Sequence, residues 1–100
     1  MRVKFYKAEN DTEFEQIKAL EKAIKKYCPE YYEGIFEENW HMTGKLRTAP
    51  ETEQAHGEMN LDSALRVRDI LLSVNMKDGF DNDGLDVGGA IEILEKVAEI

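Results

Sequence analysis

The amino-acid sequence predicts a mainly helical domain of the α+β class. About four helices would pack around a central helix at residues 61–74, and a short N-terminal strand or two-stranded hairpin would complete the fold. Apolar residues recur at spacings of three and four over three long segments, as they do on one face of a helix. Strand-like alternation is confined to the first few residues. The 100 residues allow one hydrophobic core, so we expect residues 1–100 to form a single domain.

The N-terminal segment has the alternating pattern of a half-buried strand. Val3 and Phe5 alternate with polar or charged neighbours. A strand needs a partner, and the comparable stretch nearby is residues 42–48, where Gly44 weakens the pattern. A hairpin-like pair between these two segments is therefore the predicted β structure.

The first helix has the clearest start and stop signals. Thr12 and Glu15 form a capping-box pattern, in which each side chain can satisfy a free backbone N–H at the helix start. Apolar residues follow at helical spacing as far as Tyr27, and Pro29 ends the helix. The sequence thus predicts a helix that begins near Thr12.

A second helix is predicted to restart at Pro29 and to carry Tyr32, Phe36 and Trp40 at successive steps of four residues. Residues 47–58 follow without a large apolar side chain and are predicted to form a loop.

Two further helices are predicted after this loop. Asn60 would cap the helix at 61–74, whose narrow polar stripe predicts packing on most of its circumference. Asp86 would cap a last helix, which has Gly88 and Gly89 in its first turn. Nearby aspartates disfavour a phosphate there, so these glycines predict close backbone packing.

The aspartate-rich turn before the last helix resembles a calcium loop only superficially. With Asp81 in the first position, Asp83 and Glu92 are suitable ligands, but Leu85 and Asp86 occupy positions that need a ligand and a glycine. The pattern is more typical of a turn that ends in a helix cap, so no metal site is predicted.

The sequence carries no recognisable catalytic motif. Cys28, His41 and His56 have no zinc-ligand spacing, and Cys28 has the setting of a packed thiol. We therefore predict a protein that is not an enzyme and that holds no cofactor. The single cysteine and the absence of a signal-peptide pattern favour the cytoplasm.

Charge is distributed unevenly along the chain. Residues 1–26 carry seven basic and five acidic side chains, a balance of +2, whereas residues 27–100 carry six basic and sixteen acidic ones, a balance of −10. This field attracts basic proteins and repels nucleic-acid phosphates. The sequence therefore predicts no direct nucleic-acid binding, and no apolar run is long enough for a membrane span.

The aromatic segment after Tyr27 is the predicted contact surface. Its apolar positions cover about half the circumference of a helix, so one face could pack on the core while the other holds exposed aromatic anchors among carboxylates. The alternative is that all these aromatics belong to the core. The predicted partner-binding residues are Glu30, Tyr31, Glu33, Glu37, Glu38 and Trp40. The segment 51–58 is a predicted second contact element.

These features favour a small acidic protein-interaction module that binds or inhibits a basic protein partner, as an immunity protein, an antitoxin, an anti-defence inhibitor or an adaptor does. An alternative is a self-associating structural or assembly subunit that forms a homo-oligomer through apolar helix faces and the N-terminal strand. A third hypothesis is a small-molecule or cation site near Asp81, Asp83 and Glu92.

Overall fold

The computed structural model describes residues 6–46 and 54–100 of the chain, and it is mainly helical, as predicted. The long helices are joined by short helical turns and by one pair of strands. In chain order the elements are β1 (Tyr6–Lys7), α1 (Asp11–Tyr27), a 3₁₀ turn (Pro29–Tyr31), α2 (Tyr32–Ile35), α3 (Trp40–Thr43), β2 (Lys45–Leu46), α4 (Gln54–Leu72) and α5 (Val87–Ala98).

The two strands pair antiparallel, with Tyr6 opposite Leu46 and Lys7 opposite Lys45. The amide of Ala8 extends the pair by donating to the carbonyl of Gly44 at 3.2 Å. The predicted pairing of the two segments is thus confirmed where Tyr6 lies opposite Leu46. Residues 2–5 of the predicted strand lie outside the described residues.

The predicted cap at Thr12 is wrong, because α1 begins two residues earlier with Asn10 as its N-cap. The side chain of Asn10 accepts a hydrogen bond from the amide of Glu13 at 2.9 Å, and Glu13 accepts one from the amide of Glu9 at 3.0 Å. Asn10 and Glu13 have the same three-residue spacing as the predicted Thr12 and Glu15, so two caps, two residues apart, were compatible with the sequence. The structure uses the earlier one.

The predicted continuous helix after Pro29 is wrong. The backbone becomes extended at Phe36, which forms a bridge with Leu46, and turns left-handed at Asn39 before α3 begins. Spacing of four residues is compatible with an unbroken helix, but it carries no information about a bridge to a strand ten residues away. The long-range contact therefore divides the segment into two short helices.

Helix α4 begins at Gln54, so Asn60 lies inside the helix and is not its cap. Residues 54–58 are helical, which corrects that part of the predicted loop, and residues 47–53 lie outside the described residues. Each residue added to a formed helix gains a backbone hydrogen bond, so a helix can extend into a stretch of sequence without large apolar residues.

The core lies between α1, α5 and α4, and the most extensive helix contact joins α1 to α5. The expectation that helix 61–74 is packed on most of its circumference is not met, because Leu61 and Leu72 are 44% and 56% exposed. Helix α4 buries one stripe, which includes Val67 and Leu71. Within the described residues, no helix combines the length and apolarity needed to cross a bilayer.

The start of α5 confirms the predicted cap. The Asp86 side chain accepts a hydrogen bond from the amide of Gly89 at 2.9 Å, and the amide of Gly88 donates to the carbonyl of Gly79 at 2.7 Å. These amides have partners inside the protein. The predicted close packing is present at Gly88, although the neighbour is the Gly79 turn and not another helix, whereas Gly89 lies against the side chain of its own Asp86 cap.

Candidate protein-binding surface

The predicted contact residues differ in their exposure to solvent. Glu30, Glu33 and Glu38 are exposed, and Glu37 is half-buried. Tyr31 is half-buried against the core. We call Glu30, Tyr31, Glu33, Glu37 and Glu38 the acidic surface.

Trp40 is not part of this surface. Its side chain is 1% exposed, and its ring packs against Phe36 with a centroid distance of 5.3 Å and against Phe14 at 5.9 Å. The prediction of Trp40 as an exposed anchor is therefore wrong. Trp40 and Phe36 instead follow the alternative prediction that the aromatics of this segment belong to the core, because a small domain needs large side chains to fill its interior.

A nearly buried carboxylate, Glu21 on α1, explains how Trp40 is accommodated. Oε2 of Glu21 accepts hydrogen bonds from the indole Nε1–H of Trp40 at 2.6 Å and from the hydroxyl of Tyr32 at 2.8 Å. Nε2 of His41 lies 2.9 Å from the same oxygen, and Nζ of Lys25 lies 3.7 Å from it. We call this set of contacts the Glu21 cluster; it connects α1 to both α2 and α3.

The cluster favours the ionised form of Glu21. Burial acts to raise the pKa of this carboxyl, but the hydrogen bonds from Trp40 and Tyr32 and the charges of His41 and Lys25 outweigh it, so the pKa lies below its ordinary value. Burial and the hydrogen bond to Glu21 raise the pKa of Tyr32 to about 12. The phenol therefore remains a donor to the carboxylate throughout the neutral range.

The acidic surface lies in a segment of uniform charge. From Tyr27 to Gly44 the chain has four glutamates and neither lysine nor arginine. Among the described side chains, none forms a hydrogen bond or an ion pair with Glu30 or Glu38. Carboxylates in this state can pair with an incoming cation without first breaking an internal contact.

Sequence reasoning missed one exposed apolar residue of this segment, Met42, which is 86% exposed. The sequence pattern assigned Met42 to the second strand, whereas it lies in α3. The glycine at position 44 was a signal for the helix end. Gly44 adopts the left-handed conformation, with φ of 68°, that ends many helices. Its amide donates to the carbonyl of Trp40 at 2.6 Å.

A second polar cluster joins the aspartate-rich turn to α1. Asp81 accepts hydrogen bonds from Nζ of Lys26 at 2.8 Å, from the hydroxyl of Tyr27 at 2.6 Å, and from the amides of Asp83 and Leu85 at 2.9 Å each. Its side chain is 1% exposed. Both oxygens of Asp81 thus have partners within the chain.

This arrangement gives no support to a cation site at Asp81, Asp83 and Glu92. Glu92 is exposed on α5, and the Lys26 ammonium lies 2.5 Å from Asp83 as well as beside Asp81. In the parts of the chain that the structure describes, no three histidine, cysteine or acidic side chains gather as metal ligands would.

An open groove of about 530 Å³ lies beside this cluster, between α1 and the turn before α5. Three lysines from one face of α1 and three carboxylates line this groove, so their formal charges cancel. The charged lining residues are Glu15, Lys18, Lys22, Lys26, Asp83 and Asp86. The lysine row is therefore locally neutralised and offers no basic patch for a nucleic-acid backbone.

Cys28 is buried at the end of α1. Burial, with a smaller contribution from the charge of Glu30, raises the pKa of the thiol to about 11. A protonated thiol without access to solvent is a poor nucleophile, which agrees with the predicted packed thiol.

Comparison of the chain with family models, with curated proteins and with solved structures gave no match.

Proposed function

We propose that the protein is a small acidic interaction module that binds a basic protein partner through the acidic surface and acts as an inhibitor or adaptor, in the manner of an immunity protein, an antitoxin or an anti-defence inhibitor. In this proposal the protein is cytoplasmic and carries out no catalysis. The observation that supports it most strongly is the set of exposed glutamates, Glu30, Glu33 and Glu38, in a segment that lacks lysine and arginine and that the Glu21 cluster holds against the core.

Charge favours a basic protein over other partners. Opposite charges accelerate encounter between two proteins, and exposed rim charges act mainly on the association rate. The same surface would repel a nucleic acid or an anionic membrane. A basic protein surface is therefore the partner that this electrostatic field selects.

The attachment of this segment to α1 by the Glu21 cluster also supports the proposal. A binding surface on a mobile segment loses conformational entropy when a partner orders it. Tyr32, Trp40 and His41 all contact Oε2 of Glu21, so much of the segment that carries the glutamates is held in one conformation. A preorganised surface has less entropy to lose.

Pairing of β1 with β2 gives the N-terminal strand a partner in its own chain, which removes one of the two reasons for the alternative of self-association. The other reason, an apolar helix face, remains, because Leu61 and Leu72 of α4 are exposed. Light scattering at micromolar concentration distinguishes a monomer from an obligate oligomer.

The test is charge reversal on the acidic surface, with binding measured to the basic protein that the immobilised chain retains most strongly from a lysate. Glu30, Glu33 and Glu38 are replaced together by lysine. We expect the association rate at low salt to fall by about tenfold or more and its dependence on salt to flatten, since the attraction is lost. Stopped-flow or surface-plasmon measurements over a series of salt concentrations give both quantities.

The matched control replaces Asp62, Asp69 and Glu92, three exposed carboxylates elsewhere, by lysine. It changes the net charge by the same amount, so it reports the effect of overall charge alone. If both triple variants slow association equally, binding depends on net charge and the proposed surface is wrong.

A further inference from the structure

We draw no further inference here: the strongest candidate, the exposed apolar face of α4 at Leu61 and Leu72, carries none, because nothing in the structure shows what covers it.

Discussion

At the scale of single residues, Glu21 has the largest influence on the candidate surface. A carboxylate on the buried side of a helix would be costly alone, and its donors Trp40 and Tyr32 make it favourable. The Glu21 carboxylate in turn gives the buried indole N–H of Trp40 a hydrogen-bond acceptor. One residue thus determines that an aromatic side chain fills the core and does not face a partner.

Replacement of Glu21 by glutamine should destabilise the protein by about 2 kcal/mol at neutral pH, because hydrogen bonds to an ionised group are lost. The folded-state pKa of Glu21 is lowered, so the stabilisation by its charge is present above the unfolded-state pKa and is lost as the pH falls through the folded value. The difference between the two proteins should therefore shrink below about pH 4.

Urea unfolding followed by circular dichroism at several pH values measures this difference. Glu15→Gln, an exposed carboxylate on the same helix, is the control. A stability difference that is the same at pH 3 and pH 7 would show that the charge of Glu21 contributes nothing.

At the scale of elements, the start of α5 shows how a helix and a turn determine each other. A Cβ atom added to Gly88 would lie 3.1 Å from Cα and 3.3 Å from the carbonyl oxygen of Gly79. Both atoms belong to the backbone, so the turn has little freedom to yield. The glycine is needed for this approach, although glycine disfavours the helix that contains it.

The variant Gly88→Ala tests whether the gain in helix propensity or the loss of close backbone packing has the larger effect on stability. Alanine gains up to about 1 kcal/mol of helix propensity, whereas overpacking costs about 1–3 kcal/mol, so we expect a net loss of stability of about 1 kcal/mol. Chemical denaturation gives the value, and the difference between Glu92→Gly and Glu92→Ala, at an exposed position of the same helix, reports the propensity effect alone. A stabilised Gly88→Ala protein would contradict the close packing.

At the scale of the whole molecule, the Asp81 cluster joins the turn before α5 to the end of α1 across more than fifty residues of sequence. The hydrogen bonds from Lys26 and Tyr27 lower the pKa of Asp81 far below its ordinary range, despite the opposing effect of burial. Its stabilisation is therefore present above the unfolded-state pKa and persists into strongly acidic solution.

Asp81→Asn and Asp83→Asn form a matched pair, because both aspartates contact Lys26 but the Asp83 side chain is 76% exposed. We expect Asp81→Asn to lower the melting temperature by roughly 5–10 °C and Asp83→Asn by about 2 °C or less, since exposed ion pairs contribute little. Thermal unfolding at pH 7 measures both. Equal shifts would mean that burial of Asp81 has no importance for the fold.

The sequence by itself determined the mainly helical class, the extents of α1 and α5 to within a few residues, the Asp86 cap and the charge imbalance. These depend on periodicity, on capping side chains and on composition, all of which act over a few neighbouring residues. They leave open any choice between two compatible local patterns, such as the caps at Asn10 and Thr12.

Only the tertiary structure decided the break at Phe36, the burial of Trp40 and the role of Asp81. Each depends on a partner distant in sequence: Leu46 for the bridge, Glu21 for the indole and Lys26 for the carboxylate. A wide aromatic face is compatible with both core and contact surface, and the pattern of residues cannot distinguish them. The distinction is made when a buried acceptor is brought within hydrogen-bond distance of Trp40, which leaves Met42 and the glutamates facing solvent.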